Sequence, residues 1–292
     1  MPIMPPILKM LRPHQWTKNL FCLAGVFFGS RLGEPTSIGI DLLVMFYFSA
    51  AASAMYIFND IQDIDRDRQH PKKQFRPIAS GKVSITAAIS IAILLAIIAI
   101  TGTYILGNAP LVCLLFYIAI NLAYSLKLKH QALFDVTCIA MGFVLRLLAG
   151  VYALGDIPTA WITLCTFFLA LLLGFAKRRS ELFELQGKKN LQRPVLAHYT
   201  VSYLDYLVNS TATMTVMCYA LFTTTSGKNP SLVITVPIVH YAVMHYKHLV
   251  MVKSRAEEPD RILLKDNRIK LSILLWLICY LIIIYGNLHF FD

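Results

Sequence analysis

Apolar residues in this chain gather into long runs, separated by short segments where charges, prolines and glycines collect. Runs of about 18 or more apolar residues are long enough to cross a hydrocarbon core about 30 Å thick. By that rule the chain holds about nine spans, at 19–33, 39–59, 84–106, 109–126, 132–153, 159–176, 203–224, 231–249 and 271–290. The first and sixth are short enough to tilt or to stop short of full depth. Gly107-Asn108-Ala109-Pro110 and Gly155-Asp156-Ile157-Pro158 read as turns, glycine ending one helix and proline starting the next. The expected fold class is therefore all-α, a polytopic membrane bundle. Residues 1–292 form one integral membrane domain, with no soluble domain, linker or low-complexity segment.

Composition strengthens this picture. The chain is 57% hydrophobic and 15% charged, against roughly 25% charged in ordinary soluble domains. A net charge of +11 could suggest nucleic acid, but the basic residues lie in short loops between apolar runs, where membrane topology puts them. The six cysteines (Cys22, Cys113, Cys138, Cys165, Cys218 and Cys279) stand singly inside apolar segments. None has zinc-ligand or redox spacing, and all read as packing residues. The N-terminus lacks the tripartite pattern of a cleaved signal peptide.

Charge placement sets the orientation. Lys9, Arg12 and Lys18 precede or open the first span, and Arg66, Arg68, Lys72, Lys73, Arg76 and Lys82 follow the second. Lys127 and Lys129 follow the fourth; Lys177, Arg178, Arg179, Lys188, Lys189 and Arg193 follow the sixth. The eighth is followed by Lys247, Lys253, Arg255, Arg261, Lys265, Arg268 and Lys270, and the other side has Arg31 and Lys228. With nine spans, the positive-inside rule places the N-terminus and the charged loops in the cytoplasm and the C-terminus outside.

Chemistry concentrates at the cytoplasmic end of the second span, Tyr56-Ile57-Phe58-Asn59-Asp60-Ile61-Gln62-Asp63-Ile64-Asp65-Arg66-Asp67-Arg68. On a helix advancing about 100° per residue, Asp60, Asp63 and Asp67 fall within roughly 60° of one another, and Asp65 points about 140° from Asp60. Carboxylates sharing one face repel unless a cation lies between them. Hard oxygen ligands suit Mg²⁺, which takes part of its coordination from water and substrate phosphates. The bland alternative is a solvated helix end balanced by Arg66 and Arg68. Acidic clusters at a membrane-embedded helix end are costly and usually functional.

Asn59-Asp60-x-x-Asp63-x-x-x-Asp67 resembles the first aspartate-rich motif of the UbiA-type intramembrane prenyltransferase superfamily, and the expected nine-helix arrangement is similar to that fold. The resemblance implies that Asp60, Asp63 and Asp67, with Asn59 beside them, bind Mg²⁺ that in turn holds a diphosphate. It also implies a chamber that opens sideways to lipid and admits an isoprenoid chain.

Typical members carry a second motif, Asp-x-x-x-Asp, near the end of the sixth helix. Here that stretch reads Gly174-Phe175-Ala176-Lys177-Arg178-Arg179-Ser180-Glu181-Leu182-Phe183-Glu184. Three cations with Glu181 and Glu184 replace the aspartate pair, which suits one metal-bound diphosphate plus phosphates gripped by lysine and arginine. That stretch is one of four segments that resemble the decaprenyl-phosphate phosphoribosyltransferase branch. The others are Leu11-Arg12-Pro13-His14-Gln15-Trp16-Thr17-Lys18-Asn19, Lys72-Lys73-Gln74-Phe75-Arg76-Pro77-Ile78-Ala79-Ser80-Gly81 and Tyr124-Ser125-Leu126-Lys127-Leu128-Lys129.

This resemblance implies transfer of 5-phosphoribosyl from phosphoribosyl diphosphate to a polyprenyl phosphate, supplying lipid-linked pentose to cell-envelope polysaccharide from the bacterial inner membrane. Arg12, Lys18, Lys73, Arg76, Lys127, Lys129, Lys177 and Arg178 would meet the phosphates, with Tyr56 and Tyr124 as hydroxyl donors and Glu181 beside them. Anchoring to anionic headgroups is the plain alternative for such cations. Membrane lipids are the expected surroundings, a homo-oligomer is compatible, and no nucleic-acid partner is expected.

Asp135 and Arg146 share a face of the fifth span but lie about 16 Å apart along the axis. Asp135 is placed to orient Lys127 and Lys129 or to add a metal ligand. Arg146 is deeper, and is expected to face the chamber and bind phosphate or backbone carbonyls. His240, His245 and His248 match no zinc pattern and read as interfacial packing. Two other functions compete. An isoprenyl transferase acting on an aromatic acceptor would need the missing second acidic motif. A transporter would need midplane ion sites and paired repeats of broken helices.

Overall fold

The computed structural model describes residues 5–184, 194–252, 262 and 265–291. Among them every regular element is helical: α1 (Pro6–Leu11), α2 (Ala24–Phe28), α3 (Pro35–Gln62), α4 (Ile64–Arg68), α5 (Ile85–Leu106), α6 (Asn108–Leu126), α7 (Phe134–Ala153), α8 (Ala160–Glu184), α9 (Val201–Thr225), α10 (Val236–Met251) and α11 (Asn267–Tyr285). Short 3₁₀ turns join them, and an 11-residue 3₁₀ stretch, Pro13–Leu23, lies between α1 and α2.

Six described helices are long and apolar enough to cross a membrane: α3, α5, α6, α7, α8 and α11. The other three expected spans fall on elements outside that set. Span 19–33 is divided between the 3₁₀ stretch and five-residue α2. The 25 residues of α9 include a threonine- and serine-rich middle, and α10 is 16 residues long behind the 3₁₀ turn Pro230–Thr235. Exposed isoleucines and leucines stud α5, with Ile89, Ile93, Leu94 and Ile97 all near half accessible. Such an apolar outer surface belongs against lipid.

The chain forms two compact units, Met1–Lys127 with Leu145–Ile157, and Leu128–Val144 with Pro158–Asp292. In the first, α3 packs against α5, α6 and the long 3₁₀ stretch. Its Ser49-Ala50-Ala51-Ala52-Ser53-Ala54 run is wholly buried, small side chains letting neighbouring backbones come close. The second half of α7 also packs here. A Cβ on Gly150 would lie 1.8 Å from the Cys22 carbonyl oxygen, so only glycine fits. In the second unit α8 packs along α9, and α10 against α9 and α11. Its core is built from Val136, Ala140, Leu172, Phe175, Leu204 and Val208 with their neighbours.

Candidate functional site

Arg12, Asp60, Asp67 and Arg76 meet in the first unit. Helix α3 runs to Gln62 and stops where Asp63 leaves helical geometry (φ −95°, ψ 9°); α4 then begins at Ile64. The break turns the three motif aspartates to different tasks. Asp60 and Asp67 are 3% and 2% exposed, while Asp63 keeps partial access, accepting from Asn59 Nδ2 at 3.2 Å with Arg66 at 3.9 Å. Asp65 is 88% exposed beside Arg68, on the solvated side as its helical position predicts.

Two guanidinium groups neutralise the buried pair. Arg76 Nη1 donates to Asp67 Oδ2 at 2.6 Å and to Asp60 Oδ1 at 3.0 Å. Arg12 Nη2 donates to the same Asp60 oxygen at 2.5 Å, and its guanidinium lies 5.1 Å from the centre of the Tyr56 ring. Local sequence explains both positions. Arg12 is the left-handed residue (φ 54°) joining α1 to the 3₁₀ stretch. Arg76 is extended (φ −64°, ψ 144°), as the residue before Pro77 must be. Its carbonyl accepts from Ser80 N–H, in a turn completed by Gly81 at φ +74°. Below that turn Ile78 and Val83 pack with Met10 and Ile57, so one small apolar cluster anchors both arginine-bearing segments.

The donor chemistry fits magnesium. Mg²⁺ commonly takes one or two carboxylates and completes its shell with water and substrate phosphate oxygens. Asp60 and Asp67, with Asp63 nearby in sequence, offer hard oxygens of that kind. The arrangement is not a ready-made three-carboxylate cage: among the described residues no group of three His, Cys, Asp or Glu comes together to hold a metal. Between Asp60 and Asp67 the cation is Arg76.

The remaining first-unit candidates differ in depth. Lys18, Lys73 and Tyr124 are half-buried and Lys127 is exposed. Arg146, on α7, is 5% exposed. Its Nε donates to Asn19 Oδ1 at 2.5 Å, its Nη2 to the Tyr117 hydroxyl at 3.0 Å, and its guanidinium lies over the Tyr117 ring. Asn19 Nδ2 in turn donates to Ser49, and one turn along α3 Ser53 receives Trp16 Nε1 and donates to the Leu11 carbonyl. Arg146 thus begins a polar ladder that ties the 3₁₀ stretch to α3 and ends one residue from Arg12.

The second unit gathers Asp135, Arg178 and Glu181. Arg178 Nε donates to Asp135 Oδ2 at 2.6 Å and Nη1 to Glu181 Oε2 at 2.7 Å. Asp135 is 1% exposed and pairs with Arg178; its other oxygen accepts from the Tyr199 hydroxyl at 2.8 Å. That hydroxyl also accepts the Leu133 N–H at 2.6 Å, holding a leucine at φ 69° just ahead of α7. Burial pushes the Tyr199 hydroxyl pKa above its ordinary value, and its hydrogen bond to Asp135 pushes the same way. Arg179 pairs with Asp205 of α9 and donates to the Val250 carbonyl. Lys129 and Lys177 are half-buried. Arg178 and Arg179 at the end of α8 are thus buried ties. Tyr199, Asp205, Asn19 and Tyr117 belong to these networks and were not among the expected site residues.

Comparison with known proteins agrees with the all-helical fold. The pattern of the UbiA prenyltransferase family matches residues 19–278. Decaprenyl-phosphate phosphoribosyltransferase of Mycolicibacterium smegmatis is 33% identical over 286 residues, covering 93% of this chain and 90% of the relative. The protein of that name from Mycobacterium tuberculosis is 30% identical over 276 residues, 93% and 91% of the two chains. Among solved structures, a UbiA homolog from Archaeoglobus fulgidus bound to GPP and Mg²⁺ superposes with a TM-score of 0.74 at 20% identity, covering 96% of this chain and 99% of that one.

Proposed function

Since the chain belongs to the UbiA prenyltransferase family and is a multi-pass membrane protein, we propose that it transfers 5-phosphoribosyl from phosphoribosyl diphosphate to a polyprenyl phosphate. The whole chain acts as one transferase domain in a bacterial inner membrane, with the N-terminus and the aspartate site on the cytoplasmic side. The observation that carries the reading is the interleaving of acid and base at one point. Asp60 and Asp67 are buried against Arg12 and Arg76, so a single locus can take a metal-bound diphosphate and grip further phosphate oxygens. The phosphoribosyltransferase relatives, matched over nine-tenths of their length, support the choice of donor.

A bound Mg²⁺ would supply neutralising charge to the departing diphosphate. Asp60 and Asp67 would hold it, with Asp63 and Asn59 at the edge. Arg12 and Arg76 would donate forked hydrogen bonds to diphosphate oxygens, a geometry guanidinium offers and ammonium does not. Lys18, Lys73 and Lys127, with Tyr56 and Tyr124, would steer the remaining phosphates. The ribose C1–O bond to diphosphate breaks, C1 takes on oxocarbenium character, and a phosphate oxygen of the polyprenyl phosphate forms the new bond. A phosphate monoester has a second pKa of about 6 and is already an anion at neutral pH, so no general base is needed. The residues act by position and charge. Asp135, Arg178 and Glu181, closed on one another, fix the ends of α7 and α8 in this reading.

Isoprenyl transfer to an aromatic acceptor is the second reading, favoured by the fold shared with a homolog bound to GPP. Diphosphate release separates the two. Purified protein should release diphosphate from phosphoribosyl diphosphate only when polyprenyl phosphate and Mg²⁺ are both present, and chelator should stop it. Release from geranyl diphosphate with an aromatic acceptor, and none from phosphoribosyl diphosphate, would favour the second reading.

A further inference from the structure

The strongest unassigned feature is the placement of Arg76. Its Nη1 bridges Asp67 Oδ2 at 2.6 Å and Asp60 Oδ1 at 3.0 Å, the same two carboxylates a divalent cation would use. We propose that Arg76 is the resident cation of the aspartate site, which yields its place to a divalent metal only when that metal arrives with a diphosphate. The inference rests on the transferase reading and adds an order of binding to it.

Asp60 and Asp67 are almost fully buried, and the Arg76 side chain is 26% exposed. The carboxylates are therefore walled in, while the guanidinium keeps partial access to solvent. Two buried carboxylates without a cation between them would repel strongly, and breaking a buried pair by removing one partner is among the costlier changes a fold can suffer. A bare metal entering between Asp60 and Asp67 would meet this cost in reverse. It would displace a guanidinium that then has no carboxylate to donate to, beside a second guanidinium, Arg12, already on Asp60. A diphosphate removes that penalty. Its oxygens complete the metal's shell and accept the freed guanidinium through charge-assisted, forked hydrogen bonds. Asp63 accepts from Asn59 Nδ2 at 3.2 Å and lies 3.9 Å from Arg66. Metal and diphosphate therefore bind as one ligand, and Arg76 passes from carboxylates to phosphate as they enter.

Mn²⁺ is the probe. Free Mn²⁺ is counted by electron paramagnetic resonance during titration of the purified full-length protein in detergent, with and without inorganic diphosphate, against matched diphosphate blanks. Wild type should bind Mn²⁺ weakly alone and much more tightly with diphosphate. Arg76→Gln should bind Mn²⁺ alone more tightly than wild type by about tenfold or more, the worth of one hydrogen bond between charged groups, and should gain less from diphosphate. Arg76→Lys, which keeps the charge and loses the fork, should fall between them. Tight binding of bare Mn²⁺ by wild type would overturn the proposal without recourse to any variant. So would an Arg76→Gln protein, folded by its circular dichroism, that binds bare Mn²⁺ no better than wild type. Inorganic diphosphate carries no transferable group, so these outcomes do not depend on the donor. Failure of the transferase reading would appear in substrate turnover instead.

Discussion

Arg12 reaches Asp60 from the one left-handed residue between α1 and the 3₁₀ stretch, placing Nη2 2.5 Å from Oδ1. A non-glycine residue at φ 54° costs free energy, and such strain persists where surrounding contacts over-determine it. Here the contacts are the Asp60 carboxylate and the Tyr56 ring. Asp60→Asn should lower turnover by about a hundredfold or more, since it removes charge aimed at the reacting diphosphate. Arg12→Lys should raise KM for phosphoribosyl diphosphate by about tenfold, because ammonium cannot donate the fork. Steady-state kinetics on the two variants checks both; full activity in Asp60→Asn at saturating Mg²⁺ would remove the site from the chemistry.

Arg146 makes a different prediction. It is buried, and its known partners are Asn19 and Tyr117. Arg146→Met should lower stability by about 1–3 kcal/mol, the cost of leaving those buried polar groups unmatched. KM for phosphoribosyl diphosphate should stay within about twofold, a difference well under one hydrogen bond. Thermal unfolding in detergent and initial-rate kinetics separate the two effects. A large rise in KM with unchanged stability would make Arg146 a phosphate ligand, one of the two roles its sequence position allows.

Tyr199 gives the pH dependence. Burial raises its hydroxyl pKa above 10.0, the value for a free tyrosine. Below that pH the hydroxyl is protonated in folded and unfolded chains alike, and its contribution is intact. Above it the unfolded chain releases the proton while the fold resists, so stability falls as pH rises. Tyr199→Phe removes both the donor to Asp135 and the acceptor for Leu133 N–H. It should cost about 1–3 kcal/mol near neutral pH and flatten the loss of stability expected of wild type as pH rises through 10.0. Equal alkaline slopes in the two proteins would mean that another group carries the effect.

The aspartate face was legible because helix period alone separates Asp60 and Asp67 from Asp65, and the structure buries the first two and exposes the third. The break at Asp63 was not, since nothing between Asn59 and Asp67 is a glycine or a proline. Span 19–33 was read from its apolar content, yet its backbone follows a 3₁₀ path through residue 23. Hydropathy reports where a segment resides and says little about its hydrogen-bond pattern. Arg178 and Arg179 show a different limit. Adjacent helix positions point about 100° apart, and the two side chains go to separate partners, Asp135 and Asp205. Those two lone aspartates in apolar helices were the available signal, because an ionised carboxylate in such a segment requires a partner. Tyr199 offered no comparable signal, as interfacial tyrosines are common without any task.

The central claim concerns which group leaves diphosphate, and label transfer tests it most directly. Protein purified in detergent with Mg²⁺ would be given phosphoribosyl diphosphate labelled in the ribose together with polyprenyl phosphate. A parallel reaction would hold labelled prenyl diphosphate and an aromatic acceptor. Ribose label passing into the lipid phase, and staying behind when chelator is added, is the predicted result. Label transferred only in the parallel reaction would contradict the account and make the chain an isoprenyl transferase.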